Sequence, residues 1–240
     1  MSLPPSSRRA FLSASAIAAT GAVLPQIAAA STAAPRPQPT TPRAALAAVL
    51  AGNKRFAGGH ARGPHRSAQR RLSQAKGQTP WIAILGCADS RVVPELLFDT
   101  GMGDVFDARV AGNVVNDHVI GSLEFGIEHY AIPLLLVLGH ERCGAVSAAV
   151  DAIDAPAGGP APSPGIASLV ESIRPAVDAV KGRKGDRVEL AVDENVRRSA
   201  AAVVERSALL TELVEAKKLA VRGARYDLDT GLVRLVHVGD

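Results

Sequence analysis

The chain has 240 residues, 47% hydrophobic but only 3% aromatic, and a formal charge of +4. So modest a charge and so few aromatics exclude a basic, aromatic-studded face for nucleic acid, and Val, Leu, Ile and Ala must build the core. The cations between Arg62 and Lys76 (Arg62, Arg66, Arg70, Arg71, Lys76) read as a solvated helix face.

In chain order, the N-terminus reads as an export signal. Ser7-Arg8-Arg9-Ala10-Phe11-Leu12 is a twin-arginine pattern, an Ala-rich stretch follows from Ala14 to Ala30, and Ala28-Ala29-Ala30 offers a small-residue cleavage site before Ser31. Gly21 and Pro25 break the stretch, and a spanning helix wants about 20 strongly apolar residues. No stable membrane span is therefore expected in the mature form, which is expected to be periplasmic or extracellular. Residues 31–42, with Pro35, Pro37, Pro39 and Pro42, read as a stiff linker. The remainder, 43–240, suits one domain.

Within that domain Arg43–Phe56 and Ser67–Lys76 have helical spacing, the second stopped by Gly77. Trp81–Gly86 is a continuous apolar run, as a buried parallel strand requires. Pro94–Phe98 reads as a helical turn, Val105–Val110 as a strand, Ile120–Tyr130 as a helix and Ile132–Leu138 as a second buried strand. Ala145–Asp151 starts another helix, and the Pro/Gly-rich Asp154–Gly165 is a loop. Ile166–Lys181 and Asp193–Leu219 read as helices, and Val221–Tyr226 with Leu232–Val238 as a hairpin around Asp227–Gly231. The alternation predicts an α/β fold: a mostly parallel central β-sheet flanked by helices, with an antiparallel edge from the hairpin.

The chemistry concentrates at two strand ends. The chain has two cysteines. Cys87 follows the first apolar run and opens Cys87-Ala88-Asp89-Ser90-Arg91; Cys143 closes His140-Glu141-Arg142-Cys143 after the second. Two thiols, an imidazole and a carboxylate suit tetrahedral zinc, and in a parallel sheet such loops gather at the carboxyl edge, where ligands bind. The competing reading is a Cys87–Cys143 disulfide in an oxidising compartment. Twin-arginine export carries folded proteins, so metal loading before export favours the zinc site. Asp89 and Arg91, two apart, can pair bidentately; that pairing would keep the carboxylate ionised and off the metal.

These residues carry a resemblance to the β-class carbonic anhydrases. Cys87-Ala88-Asp89-Ser90-Arg91 and His140-x-x-Cys143-Gly144 are similar to that family's metal motifs. Gly52–Phe56, Gln78-Thr79-Pro80, Arg91–Glu95, Gly103–Phe106, Arg109–Asn113 and Gly121–Phe125 extend the similarity over about 45–150. The resemblance implies reversible hydration of CO2 to bicarbonate and a proton, with zinc bound by Cys87, His140 and Cys143 and the fourth position taken by water or hydroxide, or by Asp89 in an inactive arrangement. Two thiolates on the metal predict a more basic bound water than three imidazoles would. Gln78 falls where the family orients substrate in a partner subunit's pocket, and Phe106 and Phe125 fall at pocket-lining positions. Gly144 stands where a backbone N–H can meet substrate beside a helix N-terminus. The resemblance also implies a homodimer or a dimer of dimers. The apolar stripe of helix 43–56 is expected to be buried on the partner.

Some members carry a bicarbonate site built on a Trp three residues before the first cysteine; here Arg109 is present but Ile84 takes the Trp position, which argues against that device. His60, His65, His118, His129 and His237 read as structural or solvated. Two alternatives stay open at this point: hydrolysis of COS or CS2 on the same fold, and a non-catalytic, zinc-stabilised CO2/bicarbonate-binding protein.

Overall fold

The computed structural model describes residues 38–155 and 162–238. The signal expected at 1–30 and most of the linker lie outside these residues. The sheet has five strands in the order β2-β1-β3-β4-β5. β1 (Ile82–Gly86), β2 (Val105–Arg109), β3 (Leu134–His140) and β4 (Ala220–Tyr226) run parallel; β5 (Val233–Val236) returns antiparallel to β4. This is the predicted α/β architecture with its antiparallel edge.

The apolar runs occupy the centre because a parallel strand covered on both faces has no polar side to show. Every residue of β1 and of β3 is buried, whereas the outer strand β2 is half open. Alternation along the strands sends Ile82, Ile84, Leu134, Leu136 and Leu138 to one face. Ala83, Leu85, Leu135 and Val137 go to the other. Each fully buried Leu or Ile contributes roughly 1.5–3 kcal/mol relative to exposure.

On the first face lie α1 (Pro42–Ala57) and α3 (Pro94–Leu97). Thr41 caps α1 by accepting the Ala44 N–H, and Pro42 opens it at a position that needs no donor. The structure corrects the expectation that the inner stripe of α1 awaits a partner. Ala45 and Val49 are fully buried in the chain's own core with Trp81, Ile82, Leu97 and Phe98. Among the described residues no other long helix covers this face of β1 and β3, and α1 takes that place.

The second face is covered by α4 (Asp117–Tyr130), α7 (Arg187–Glu205) and α8 (Ala208–Glu215). α4 begins three residues before the predicted start, because Asn116 accepts the Val119 N–H and sets the cap there. The helix expected over Asp193–Leu219 is two helices. Its first part starts at an Asp186 cap, and Ser207 breaks the run by accepting the Leu210 N–H as the cap of α8. Gly139 lets α7 approach β3: a Cβ there would lie 2.4 Å from Val196. A third apolar cluster joins α5 (Gly144–Asp154), α6 (Pro164–Ala179) and α7 and encloses Cys87 and Cys143. A short α2 (Ala68–Gln74) is capped by Ser67; of the cations expected to be solvated, Arg70 instead turns inward, its Nε donating to the Met102 carbonyl at 2.9 Å and its Nη2 to Asp104. Among the described residues no helix is long and apolar enough to cross a membrane.

Candidate metal centre and active site

β1 and β3 are neighbours, so their carboxyl ends bring two distant loops together. Gly86 is the last residue of β1, and Cys87 leads out of it. β3 runs two residues further than predicted and ends on His140, so the imidazole stands on a strand. Cys143 is the residue before α5. The donor atoms of Cys87, His140 and Cys143 all lie within 4.8 Å of one another, and all three residues are buried.

Both cysteines are free, their sulfurs 4.0 Å apart. The Cys87 thiol is pushed well below the ordinary range, first by the hydrogen bond from Cys143. The His140 ring and the N–H groups of Asp89 and Gly112 help, against the cost of burial. Cys143 is pushed up, by the proton it shares with Cys87, by burial and by the Cys87 charge. One thiolate thus forms readily and the second does not, which is the condition a divalent cation relieves.

His140 Nδ1–H donates to the Glu141 carbonyl at 2.9 Å, which fixes the tautomer and leaves Nε2 as the free donor of an electron pair. That Nε2 is buried without a hydrogen-bond partner. A buried polar atom left unpaired is costly, and a metal ligand bond satisfies it. Two sulfurs and an orphaned imidazole nitrogen are a donor set for zinc with one position open.

Asp89 lies beside this set but not in it. Its Oδ2 is 3.8 Å from His140 Nε2. Its carboxylate is gripped by Arg91: Nε donates to Oδ1 at 2.9 Å, Nη2 to Oδ2 at 2.8 Å, and the Arg91 backbone N–H to Oδ1 at 2.9 Å. That grip holds the Asp89 carboxyl far below the usual carboxylate range. Arg91 thus holds the Asp89 carboxylate beside the three donors rather than among them. Arg109 Nε donates to the Cys87 carbonyl at 3.0 Å and its Nη2 to the Asp89 carbonyl at 2.7 Å, so this loop is held from β2. Ile84 is fully buried in the core.

Gly144 follows Cys143 at the start of α5, exposed, with open space where a Cβ would be. Gln78, Phe106 and Phe125 are not brought to the cysteines of their own chain. Gln78 precedes β1 while Cys87 follows it, so the length of the strand separates them. Gln78 Nε2 instead donates to Tyr130 Oη at 2.9 Å. Phe106 lies 6.1 Å from Tyr130 and 6.4 Å from Phe125 between ring centroids, and Phe125 is 59% exposed. These residues form an aromatic patch on β2 and α4, open to solvent.

Gly112 and Asn195 belong to the site and were not singled out for it from the sequence. The Gly112 N–H donates to Cys87 Sγ at 3.3 Å, and Asn195 Nδ2 holds the Gly112 carbonyl at 2.7 Å. Gly112 has φ +69°, and a Cβ would sit 2.7 Å from Ile173, so glycine alone presents this N–H here. The legible signal was a glycine in the turn after the strand Val105–Arg109; Asn195, inside a helix, gave none.

Comparison with known proteins agrees with this geometry. Residues 82–233 match the carbonic anhydrase family model. Carbonic anhydrase 2 of Mycobacterium tuberculosis is 39% identical over 204 residues, covering 84% of this chain and 96% of that protein. A carbonic anhydrase of Mycolicibacterium smegmatis is 37% identical over 84% of this chain and 97% of its own length. Among solved structures, the Coccomyxa β-carbonic anhydrase in complex with acetazolamide superposes with a TM-score of 0.61 at 28% identity, over 80% of this chain and 86% of that one. A tetrameric β-carbonic anhydrase of Sordaria macrospora shares the fold at a TM-score of 0.61 and 23% identity, over 81% and 98% of the two chains. With a Cys-His-Cys centre fitted for zinc at the carboxyl edge of a parallel sheet, the chain belongs to the β-class carbonic anhydrases, zinc lyases that interconvert CO2 and bicarbonate.

Proposed function

We propose that Cys87, His140 and Cys143 hold the zinc and that Asp89 and Arg91 are the residues that make the centre active. Zinc in such a site supplies a Lewis acid that brings the pKa of a water in its open position toward neutrality. The protein's part is to aim that nucleophile and keep the open position free. Asp89, held ionised by Arg91, would accept a hydrogen bond from the nucleophile and orient it toward CO2. Arg91 thereby also restrains Asp89 from becoming a ligand itself. The exposed Gly144 N–H at the α5 N-terminus would meet an oxygen of the substrate, in keeping with anion binding at a helix start. The three-point grip of Arg91 on Asp89 is the observation that carries this reading.

Replacing Asp89→Ala should leave about one zinc per chain and remove most CO2 hydration, a loss on the order of 100-fold or more. Arg91→Ala should do likewise, by freeing Asp89 to reach the metal. Stopped-flow hydration with metal analysis of the same samples checks both; an Arg91→Ala protein as active as the parent would refute the restraint.

The working unit is proposed to be a dimer or dimer of dimers, in which the patch of Gln78, Phe106 and Phe125 completes the CO2 pocket of a neighbouring copy. Its separation from the chain's own cysteines and the exposure of Phe125 support this. Export by the twin-arginine route to the periplasm or beyond is proposed from Ser7–Leu12 and the Ala-rich stretch that follows.

A further inference from the structure

Between His140 and Cys143 lie two residues, and the loop they form is under tension. Arg142 has φ +49°, in the left-handed region that a non-glycine residue occupies at a cost. It is held there from outside the loop. Its N–H donates to Glu189 Oε1 at 2.9 Å, and its guanidinium pairs with Asp229 through two bonds of 2.8 Å. Glu141 is held as well: its Oε2 accepts the Leu228 N–H at 3.2 Å and its Oε1 accepts from Arg225 Nη2 at 2.8 Å. The same Arg225 Nη2 bonds Glu189 Oε2, and Nη1 lies 3.6 Å from Asp193 Oδ1. Arg225 therefore joins the two carboxylates that hold the two residues between the ligands, and its side chain is only 11% exposed.

Its place in the sheet is equally specific. Arg225 on β4 stands opposite Gly139 in the β3–β4 register, one position before His140. On the other side of the centre Arg109 on β2 stands opposite Gly86, one position before Cys87, and holds the carbonyls of Cys87 and Asp89. On each side of the centre, an arginine of the adjacent strand thus stands opposite the glycine just before a ligand, Gly86 before Cys87 and Gly139 before His140.

We infer that Arg225 is a positioning residue of the zinc centre, which sets metal affinity by locking the Glu141–Arg142 span through Glu141 and Glu189. Without Arg225 the Glu141 and Glu189 carboxylates lose the guanidinium that bridges them, and each is free to turn away toward water. Glu189 then releases the Arg142 N–H, the left-handed turn relaxes, and His140 and Cys143 lose their mutual register. Partners of this kind, one shell removed from the ligands, are typically worth 10–100-fold in metal affinity.

The inference rests on Cys87, His140 and Cys143 as the ligands, and the experiment separates the two. Zinc affinity is measured by competition with a chromophoric chelator, and the visible absorption of the cobalt(II)-substituted protein is recorded, for the parent, Arg225→Gln, Arg225→Lys and Glu189→Ala. Arg225→Gln and Glu189→Ala should each bind about 10–100-fold more weakly, still saturating at one metal per chain, with a shifted cobalt spectrum. Arg225→Lys keeps a charge but not the fork, and should fall between. The thermal midpoint of the metal-free proteins reads any purely structural role. If it drops while affinity stays within about twofold of the parent in Arg225→Gln and Glu189→Ala, Arg225 supports the fold and not the metal, and the inference is overturned. Should Arg225→Gln fail to fold, Glu189→Ala, altered only on the rim of α7, decides alone. A parent that bound no metal would instead overturn the ligand assignment.

Discussion

At the scale of single residues, Cys87 and Cys143 share one proton when no metal is bound, since the hydrogen bond between them lowers one and raises the other. The lowered Cys87 thiol favours one thiolate in the metal-free site, and the His140 Nε2 has no hydrogen-bond partner to give up. Zinc binding should therefore displace about one proton, not the two of an ordinary pair of thiols. Calorimetric titration of the metal-free protein in buffers of different ionisation enthalpy gives the count; release of two protons would show that the thiols do not share. The two motifs made the five central residues legible, because the ligand types and their spacing are a chemical signature. Arg225 and Asn195 were not legible, because they act across strands and helices that are far apart in sequence, and spacing says nothing about such pairs.

At the scale of elements, the alternation of apolar runs with helical stripes was enough to predict a mostly parallel sheet with one antiparallel edge, but not the order of its strands. Boundaries moved where a cap decided them, at Asn116, Asp186 and Ser207. α1 was misjudged because periodicity reveals an apolar face but not what covers it. Its attachment depends on Asn53, 2% exposed, whose Nδ2 donates to the carbonyls of Leu97 and Gly231 at 3.3 and 2.9 Å. Its Oδ1 accepts the Val233 N–H at 2.8 Å, so one amide ties α1 to the end of α3 and to the β4–β5 hairpin. Asn53→Ala leaves three backbone groups unpaired in the interior and should cost roughly 1–3 kcal/mol of stability. Urea unfolding of the zinc-loaded protein would measure it; an unchanged midpoint would show that α1 is attached by its apolar stripe alone.

At the scale of the whole molecule, the centre is assembled within one chain, whereas the aromatic patch faces outward. If that patch is an interface, Phe125→Glu should place a charge in it and weaken self-association, with hydration activity falling as the protein is diluted. Sedimentation across the assay range would test this, and a variant as associated and as active as the parent would exclude the patch. The expected signal at 1–30 carries the last prediction. Changing Arg8 and Arg9 to lysine should retain the protein inside the cytoplasmic membrane, because the arginine pair is the feature on which that route is proposed. Cell fractionation reads the outcome, and normal export of the lysine variant would point to another route.

The placement of the centre on two strands has a further consequence, for the unfolded chain. Cys87 and Cys143 are 56 positions apart in sequence. A zinc ion that joins them acts as a cross-link closing a long loop. By the chain-entropy relation that describes disulfides, the loop-closure entropy it removes from a disordered chain corresponds to about 4 kcal/mol. The three donors converge on one ion when β1 and β3 lie side by side, so strand pairing and metal binding reinforce each other. Once captured, it penalises their separation, and the catalytic ion also serves as the clasp of the sheet.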